Sequence, residues 1–322
     1  MMTKQRAVLG VDSSTQSTKV VIRDLDTGEI LAHGSSPHSG LPSQDPRDWW
    51  EALVAAARES DPGRFSIEGI AVAGQQHGLV ALDAGNEPIG LAPLWNNTDA
   101  APDAERLNAM GDFAAETGSR LVASFTIAKL AHLARTDPEG LARTASISLP
   151  HDYVTLRLTG NLVSDRSDAS GTGWWSPSTG QDRRDLIALA AGDVFAERVR
   201  IQRVLGPGEL AGTLTSESAA ALGLPAGIPV GPGAGDNAAA ALGIGATPDE
   251  LVISLGTSGV AYAVSDVATA DPSGEVCGFA DATGQFLPLV CMLNCTQIVD
   301  ATAQILSLSL PDALDLAGTV PA

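Results

Sequence analysis

The sequence is short of positive charge. Among its 322 residues, Lys and Arg number 19 against 38 Asp and Glu, so the formal net charge is -19. A chain of this sign repels nucleic-acid backbones and anionic membranes. The composition therefore argues against a nucleic-acid or membrane partner and favours small-molecule chemistry. A polyphosphate ligand would need local help from backbone dipoles and a divalent cation.

Cysteine and long apolar runs are scarce as well. Cys277, Cys291 and Cys295 are odd in number and lack the paired spacing of a disulfide framework or a zinc site. We expect them to be small buried apolar residues. The N-terminal stretch has no secretory apolar core, and no run reaches the ~18 apolar residues of a membrane span. These absences predict a soluble globular protein of the reducing cytoplasm.

Several nucleotide and metal motifs are missing. The chain has no GxxxxGK[ST] and no GxGxxG after its first strand, which argues against P-loop and dinucleotide-binding proteins. Its histidines show no metal-ligand spacing with cysteine or carboxylate, so we expect no metal held mainly by the protein. The histidines are His33, His38, His77, His132 and His151.

The pattern of elements predicts an α/β protein. Strand-like runs between residues 7 and 82 are interrupted by a helical pattern at 45–60, where Asp45 can cap and Pro46 suits the first turn. Residues 100–158 show helical spacing, and residues 251–290 are rich in strand-like runs. The composition changes near residues 243–249. We therefore predict two domains, 1–243 and 244–322.

The first strand ends in a surplus of polar residues. Asp12 is followed by a run of hydroxyl and amide side chains from Ser13 to Thr18, more than a hairpin turn requires. Backbone N–H groups and hydroxyls in such a turn can bind an anion, and the carboxylate can hold the accompanying metal. A simple Asx or Ser turn is the alternative. Residues 251–264 repeat the strand–turn–strand pattern, so two hairpins could clamp one phosphate chain, although such patterns also recur by coincidence.

Two polar stretches suit a polyhydroxylated ligand. Gln75, Gln76 and His77 lie between strand-like runs and are flanked by glycine, and Trp95 is followed by asparagines. Long polar side chains beside an aromatic face are typical of sugar sites. The alternatives are a polar surface loop for the first stretch and a core position for Trp95.

Asp236 and Asn237 follow a glycine-rich stretch at the start of an alanine-rich helix pattern. An N-cap is the simple interpretation of the aspartate. However, the preceding glycines are costly in backbone entropy unless something approaches them. A carboxylate at this position could take a proton from an attacking hydroxyl.

Seven stretches in sequence order resemble the FGGY family of sugar kinases, and within it the xylulokinases. They are GVDSSTQSTK, GQQHG, PLWNNTDA, LPHDYVTLRLTG, SDASGTGWW, GAGDNAAAALGIG and LVISLGTSGV. The resemblance implies an actin/hexokinase/Hsp70-like ATPase fold with two related domains around a cleft. It also implies ATP and Mg²⁺ as cofactors and transfer of phosphate to a ketose, D-xylulose before others.

The resemblance also implies residue roles. Nucleotide and Mg²⁺ would be bound at the two hairpins, with Asp12 as the metal ligand, and the sugar would be bound between them, with Asp236 as general base. The nucleotide residues would be Asp12, Ser13, Ser14, Thr15, Thr18, Lys19, Gly256, Thr257 and Ser258. The sugar residues would be Gln76, His77, Trp95, Asp236 and Asn237.

The chain departs from the family pattern at Asn97, Asp99, His132 and Leu156, which leaves the sugar preference open. Family members also continue beyond the stretch near residue 305 into a segment that contacts adenosine, so we expect an incomplete second domain. Two alternatives follow: a sugar-binding fragment without catalysis, and a nucleotide-dependent switch that needs no sugar loop. A homodimer is an open expectation.

Overall fold

Strands and helices alternate along the part of the chain that this computed structural model describes, residues 4–256, 258–292 and 294–320. The strands are β1 (Arg6–Ser13), β2 (Ser17–Asp24), β3 (Ile30–Pro37), β4 (Ser43–Gln44), β5 (Ser66–Gly74), β6 (Val80–Leu82), β7 (Ala92–Pro93), β8 (Ser146–Ser148), β9 (Val163–Asp165), β10 (Trp175–Ser176), β11 (Gln181–Asp182), β12 (Arg203–Leu205), β13 (Gly212–Thr213), β14 (Pro229–Val230), β15 (Ala234–Gly235), β16 (Leu251–Leu255), β17 (Gly259–Ala263), β18 (Cys277–Ala280) and β19 (Phe286–Met292). The helices are α1 (Pro46–Ser60), α2 (Ala101–Asn108), α3 (Phe113–Thr117), α4 (Thr126–Thr136), α5 (Pro138–Arg143), α6 (Pro150–Thr159), α7 (Arg166–Ala169), α8 (Arg184–Ala191), α9 (Asp193–Arg198), α10 (Ser216–Leu222), α11 (Asp236–Ile244), α12 (Thr296–Ile305) and α13 (Leu310–Ala317). Thr257, one of the predicted phosphate residues, lies outside the described residues.

The large sheet of the first part of the chain has the order β13-β14-β5-β1-β2-β3, and β15 also pairs with β5. Strands β1, β2 and β3 form an antiparallel meander, whereas β5 runs parallel to β1. Ser13 of β1 is level with Gly74 of β5, which is level with Gly235 of β15. Three parallel strands therefore end at one edge of this sheet.

Helix α1 forms where the sequence predicts it. Asp45 is the N-cap, its side chain accepts a hydrogen bond from the Arg47 N–H, and Pro46 occupies the first turn. Trp49 and Leu53 on one face of the helix are buried against β2 and β3. The helix thereby supports the hairpin that carries the Ser13–Thr18 turn.

The second sheet has the order β16-β17-β19-β18. Its first two strands form an antiparallel hairpin, and the second of them pairs with a third antiparallel strand. The first sheet starts in the same way, with β1, β2 and β3. The internal repeat seen in the sequence is therefore present in the strand pairing.

Two apolar clusters hold the molecule together. One lies between the first sheet and helices α1, α6 and α10. The other joins helices α4, α8 and α11 to inward-facing residues of the second sheet, such as Tyr262 and Phe279. Two backbone N–H groups of β18 also donate to the first part of the chain, Gly278 to the Gly118 carbonyl and Ala280 to Ser170 Oγ. The second cluster thus contains residues of both proposed domains.

The expectation of buried cysteines is wrong. Cys291 is exposed and Cys277 and Cys295 are partly exposed, because they lie on β18, β19 and the loop before α12, where the second sheet is thinly covered. Within the described ranges, no helix is long and apolar enough to span a bilayer.

Candidate functional site

The predicted site residues of the first part of the chain meet at the edge where β1, β5 and β15 end. Asp12 is the residue before Ser13, which pairs with Gly74, and Asp236 follows directly after Gly235. The loop after β5 carries Gln75, whose N–H donates to the Ser13 carbonyl over 3.0 Å. Because parallel strands end together, this edge collects the carboxylates and the polar loop.

The first turn is organised by its own hydroxyls. Ser14 Oγ donates to Asp12 Oδ1 over 2.6 Å, and Lys19 Nζ lies 3.3 Å from Asp12 Oδ2. Thr18 Oγ1 donates to Ser13 Oγ, and both side chains are buried. The Asp12 side chain is 40% exposed. The turn therefore presents an accessible carboxylate beside hydroxyls and one lysine.

Trp95 and Gln44 link this turn to its surroundings. The Trp95 indole N–H donates to Thr15 Oγ1 over 2.9 Å, and Gln44 Nε2 donates to the Thr15 carbonyl over 2.8 Å. Gln44 Oε1 accepts from the indole N–H of buried Trp49. In this structure Trp95 contacts the turn assigned to phosphate, and its role as a sugar contact stays a prediction.

Asp236 and Asn237 open α11 beside the polar loop. Asp236 Oδ1 accepts hydrogen bonds from the backbone N–H and Nδ2 of Asn237, and that same Nδ2 donates to Gln76 Oε1 over 3.1 Å. Gly235 is the N-cap residue and Asp236 is the first helical residue, so the capping alternative does not hold. A side chain at Gly235 would overlap Gln76. Position 235 thus requires glycine because the Gln76 side chain leaves no room for a Cβ.

The surroundings of Asp236 disfavour its charge. Burial raises the pKa of Asp236 from 3.8 to about 7, the Asn237 N–H opposes the rise, and the carboxylates of Asp168 and Asp12 add to it. A carboxyl group with this pKa takes up and releases a proton near neutrality. That is the property of a general base for a hydroxyl.

His77 is held in a strained conformation. Its φ of 60° lies in the left-handed region, which non-glycine residues seldom adopt outside functional sites. Its ring stacks on Phe125 at a centroid distance of 5.5 Å, and Phe279 of β18 lies 5.0 Å away. Thr126 Oγ1 donates to the His77 carbonyl. Both parts of the chain therefore contribute to the pocket around this imidazole.

A buried charged cluster lies under His77, and sequence reasoning missed it. His151 Nδ1 lies 2.8 Å from Asp168 Oδ2, with Asp152 and Asp165 also next to the ring. Burial lowers the pKa of His151, but the carboxylates of Asp152, Asp168 and Asp165 outweigh burial and raise it to about 10. The quoted stretches LPHDY and SDASG contain these residues, but their spacing did not reveal that they meet.

The carboxyl groups of this cluster have pKa values shifted in opposite directions. Burial opposes charge on Asp168, yet hydrogen bonds from His151 and His77 keep its pKa below the usual range. Burial raises the pKa of Asp152 to about 8 despite the opposing charge of His151. One ligand atom each from His151, Asp152 and Asp168 lies within 4.8 Å of the others. The ion pair of His151 with Asp168 already satisfies this group.

The second predicted phosphate turn lies between β16 and β17. The Gly256 N–H donates to the Ser258 carbonyl, and the Gly256 carbonyl accepts from the N–H of Thr296 at the start of α12. The hairpin lies near Asp236: burial and the charge of Asp236 both raise the pKa of Tyr262 on β17. That Gly256 and Ser258 face Asp12 stays a prediction.

Comparisons with known proteins find related sequences and structures. Residues 7–243 match the family model described as the FGGY family of carbohydrate kinases, N-terminal domain. Curated relatives include xylulose kinases of Streptomyces rubiginosus, 46% identical over 94% of this chain, and Streptomyces coelicolor, 47% identical over 94%. The match covers 63% of each of these two relatives, so the chain spans less than two thirds of their length.

A solved structure shows the same fold. The xylulose kinase from Bifidobacterium adolescentis superposes with a TM-score of 0.86 at 38% identity, covering 95% of this chain and 68% of that one. The predicted actin/hexokinase-like α/β fold, with two related sheets, is confirmed by this likeness.

Proposed function

Because this chain belongs to the FGGY family of carbohydrate kinases, we propose that it takes part in ATP-dependent phosphorylation of a ketose, D-xylulose to D-xylulose 5-phosphate. The xylulose kinases among its relatives support the choice of sugar. The observation that carries the proposal is the shared strand edge, where Asp236, Gln76, His77 and Asp12 are brought together.

We assign the sugar to the space beside Gln76, His77 and Asn237. Asp236 accepts the proton of the attacking primary hydroxyl, and its pKa of about 7 leaves about half of it ionised and able to do so at neutral pH. Trp95 contributes an apolar edge next to the first turn. General-base assistance of this kind contributes roughly 10²–10⁴-fold to the rate, and positioning adds to it.

The nucleotide phosphates are assigned to the first turn. Ser13, Ser14, Thr15 and Thr18 supply hydroxyls and backbone N–H groups, and Lys19, directly after the turn, supplies a positive charge. The second turn, Gly256 to Ser258, is proposed to approach from the other sheet.

Asp12 fits a divalent cation. Its carboxylate is 40% exposed, and Ser14 and Lys19 are its hydrogen-bond and ion-pair partners among the described residues, so lone pairs remain for a hard cation. Mg²⁺ bound there would offset the charge of the transferring phosphoryl group. We further propose the domain division 1–243 and 244–322 and a homodimer for the complete enzyme.

An ADP-release assay tests the proposal. ATP, Mg²⁺ and D-xylulose should give turnover that Asp236→Asn lowers by at least about 10²-fold while D-xylulose binding, measured by calorimetry, is retained. Asp193→Asn is the matched control, because Asp193 is likewise the first residue of a helix after a glycine, but is exposed.

Two results would contradict the proposal. D-xylulose binding without any ADP release from the unaltered chain would make it a sugar-binding protein. ATP hydrolysis that does not depend on sugar would indicate a nucleotide switch.

A further inference from the structure

The ring of His77 has two nitrogens in different surroundings. Nδ1 is buried and has no hydrogen-bond partner of good geometry, and Asp168 Oδ1 is 3.6 Å from it. Nε2 has no hydrogen-bond partner among the described residues, and the His77 side chain is 9% exposed. A ligand can therefore reach His77 only through Nε2.

One carboxylate oxygen of Asp168 faces both the backbone N–H and the ring Nδ1 of His77. Oδ1 lies 3.4 Å from the backbone N–H of His77, which donates to it, and 3.6 Å from the ring Nδ1. The other oxygen, Oδ2, faces His151 Nδ1 at 2.8 Å. Since His151 donates to Oδ2, the carboxylate cannot rotate away from His77 without breaking an ion pair.

Packing prevents the imidazole from turning over. Gly171 lies against the ring, and a Cβ at that position would overlap Cε1 and Nδ1 of His77. Phe125 stacks on one face with an interplanar angle of 12°, and Phe279 packs at 47°. The Nδ1 edge thus stays directed at Asp168.

We propose that Asp168, held by His151, is a positioning residue that keeps the proton of His77 on Nδ1, so that Nε2 accepts a hydrogen bond from a sugar hydroxyl. The carboxylate has acceptor oxygens only, so it selects the N–H on the nitrogen that faces it. His77 Nε2 then selects a sugar hydroxyl that can donate a hydrogen bond to it. This inference rests on the proposed function only for the identity of the ligand, because the tautomer is a property of the free protein.

Asp168→Asn tests the inference sharply. An amide has one acceptor and one donor end, and His151, flanked also by Asp152 and Asp165, requires the acceptor. The NH₂ group would then face His77 Nδ1 and move the ring proton to Nε2. The variant should bind D-xylulose at least about tenfold more weakly, because Nε2–H could no longer accept from the sugar hydroxyl, which would have to turn away from the geometry in which it donates.

The direct readout is the ¹⁵N spectrum of the imidazoles in protein labelled at histidine. With five histidines in the chain, His77→Gln assigns the His77 signals. We expect Nδ1–H in the unaltered protein and Nε2–H in Asp168→Asn. A protein that merely unfolds would give the signals of free histidine, so misfolding is recognised.

Asp152→Asn is the matched control. Asp152 is equally buried and next to the same His151, but the described contacts do not join it to His77. Asp152→Asn leaves both oxygens of Asp168 in place, so the His77 tautomer and the sugar affinity should be unchanged.

Three outcomes overturn the inference: Nε2–H in the unaltered protein, an unchanged tautomer in Asp168→Asn, or a changed tautomer with unchanged D-xylulose affinity. If no ketose binds but the tautomer follows Asp168, the positioning role of Asp168 stands and the proposed function fails.

Discussion

At the scale of single residues, the site combines two aspartates whose pKa values are shifted in opposite directions. Asp236 carries a carboxyl with a pKa raised to about 7, while Asp168 is kept ionised by histidine contacts. Asp168 lies on α7, and its charge disfavours that of Asp236 at the strand edge. The two side chains are of the same residue type, so the difference between their pKa values comes from their contacts.

The pKa of Asp236 predicts a pH dependence of stability. Its folded-state value of about 7 exceeds the unfolded value near 3.8, so the folded protein binds this proton more tightly. The stabilisation is complete below the unfolded value and is lost as pH rises through about 7. Asp236→Asn should therefore raise the melting temperature relative to the unaltered protein at pH 8 more than at pH 5.

The measurement is a thermal unfolding series from pH 5 to pH 8 with Asp193→Asn as control. The exposed Asp193 should change little at any pH. An Asp236→Asn difference that is the same at pH 5 and pH 8 would disprove the assignment of a neutral-range pKa.

Gly171 predicts a second effect at this scale. Gly171→Ala places a methyl group into the space of the His77 ring, so the ring must leave its position between Phe125 and Asp168. We expect D-xylulose affinity to fall at least about tenfold, consistent with loss of a well-placed hydrogen bond. Calorimetry measures it, and Gly243→Ala, where an added Cβ meets open space, is the control; equal affinity for both variants would contradict the contact.

At the scale of elements, helix α1 is coupled to the first turn. Trp49 on the helix, Gln44 before it and Thr15 in the turn form one hydrogen-bonded path. The helix also lies very close to β3, because a Cβ at Gly34 would overlap the Ala56 carbonyl. The placement of the turn therefore depends on how closely α1 packs.

Gly34→Ala should push α1 away from the sheet. Overpacking of this kind costs typically about 1–3 kcal/mol in the free energy of unfolding, and a backbone carbonyl cannot move aside as a flexible side chain can. Gly10→Ala on neighbouring β1 is the matched control, since its added Cβ has its nearest neighbour at 3.9 Å. Urea unfolding compares the two; a Gly34→Ala midpoint equal to that of Gly10→Ala would rule out the tight contact.

At the scale of the whole molecule, the second sheet is unevenly covered. Leu251, Ile253 and Leu255 alternate along β16 and are 66%, 61% and 70% exposed. Ile305 at the end of α12 and Leu314 of α13 are 82% and 52% exposed. Exposed apolar side chains in such number are typical of contact surfaces and favour association.

We expect the 322-residue chain to bind an apolar dye and to self-associate with rising concentration. The double change Leu251→Lys and Ile253→Lys should reduce dye fluorescence and the sedimenting mass together. Val194→Lys removes an isolated residue that is 77% exposed and should leave both unchanged. A monodisperse monomer without dye binding would contradict the prediction.

The local sequence pattern determined much of the secondary structure of this protein. The hairpins, helix α1 with its Asp45 cap and the second β-rich region follow from alternation and capping, which are properties of neighbouring residues. The polar surplus after Asp12 and the Asp236 stretch could be singled out for the same reason. Only the tertiary structure decided that Asp168 and His151 lie under His77, and that Phe279 of the second sheet reaches it. These contacts join residues up to about two hundred positions apart, so they depend on how parallel strands and packed helices bring distant segments together.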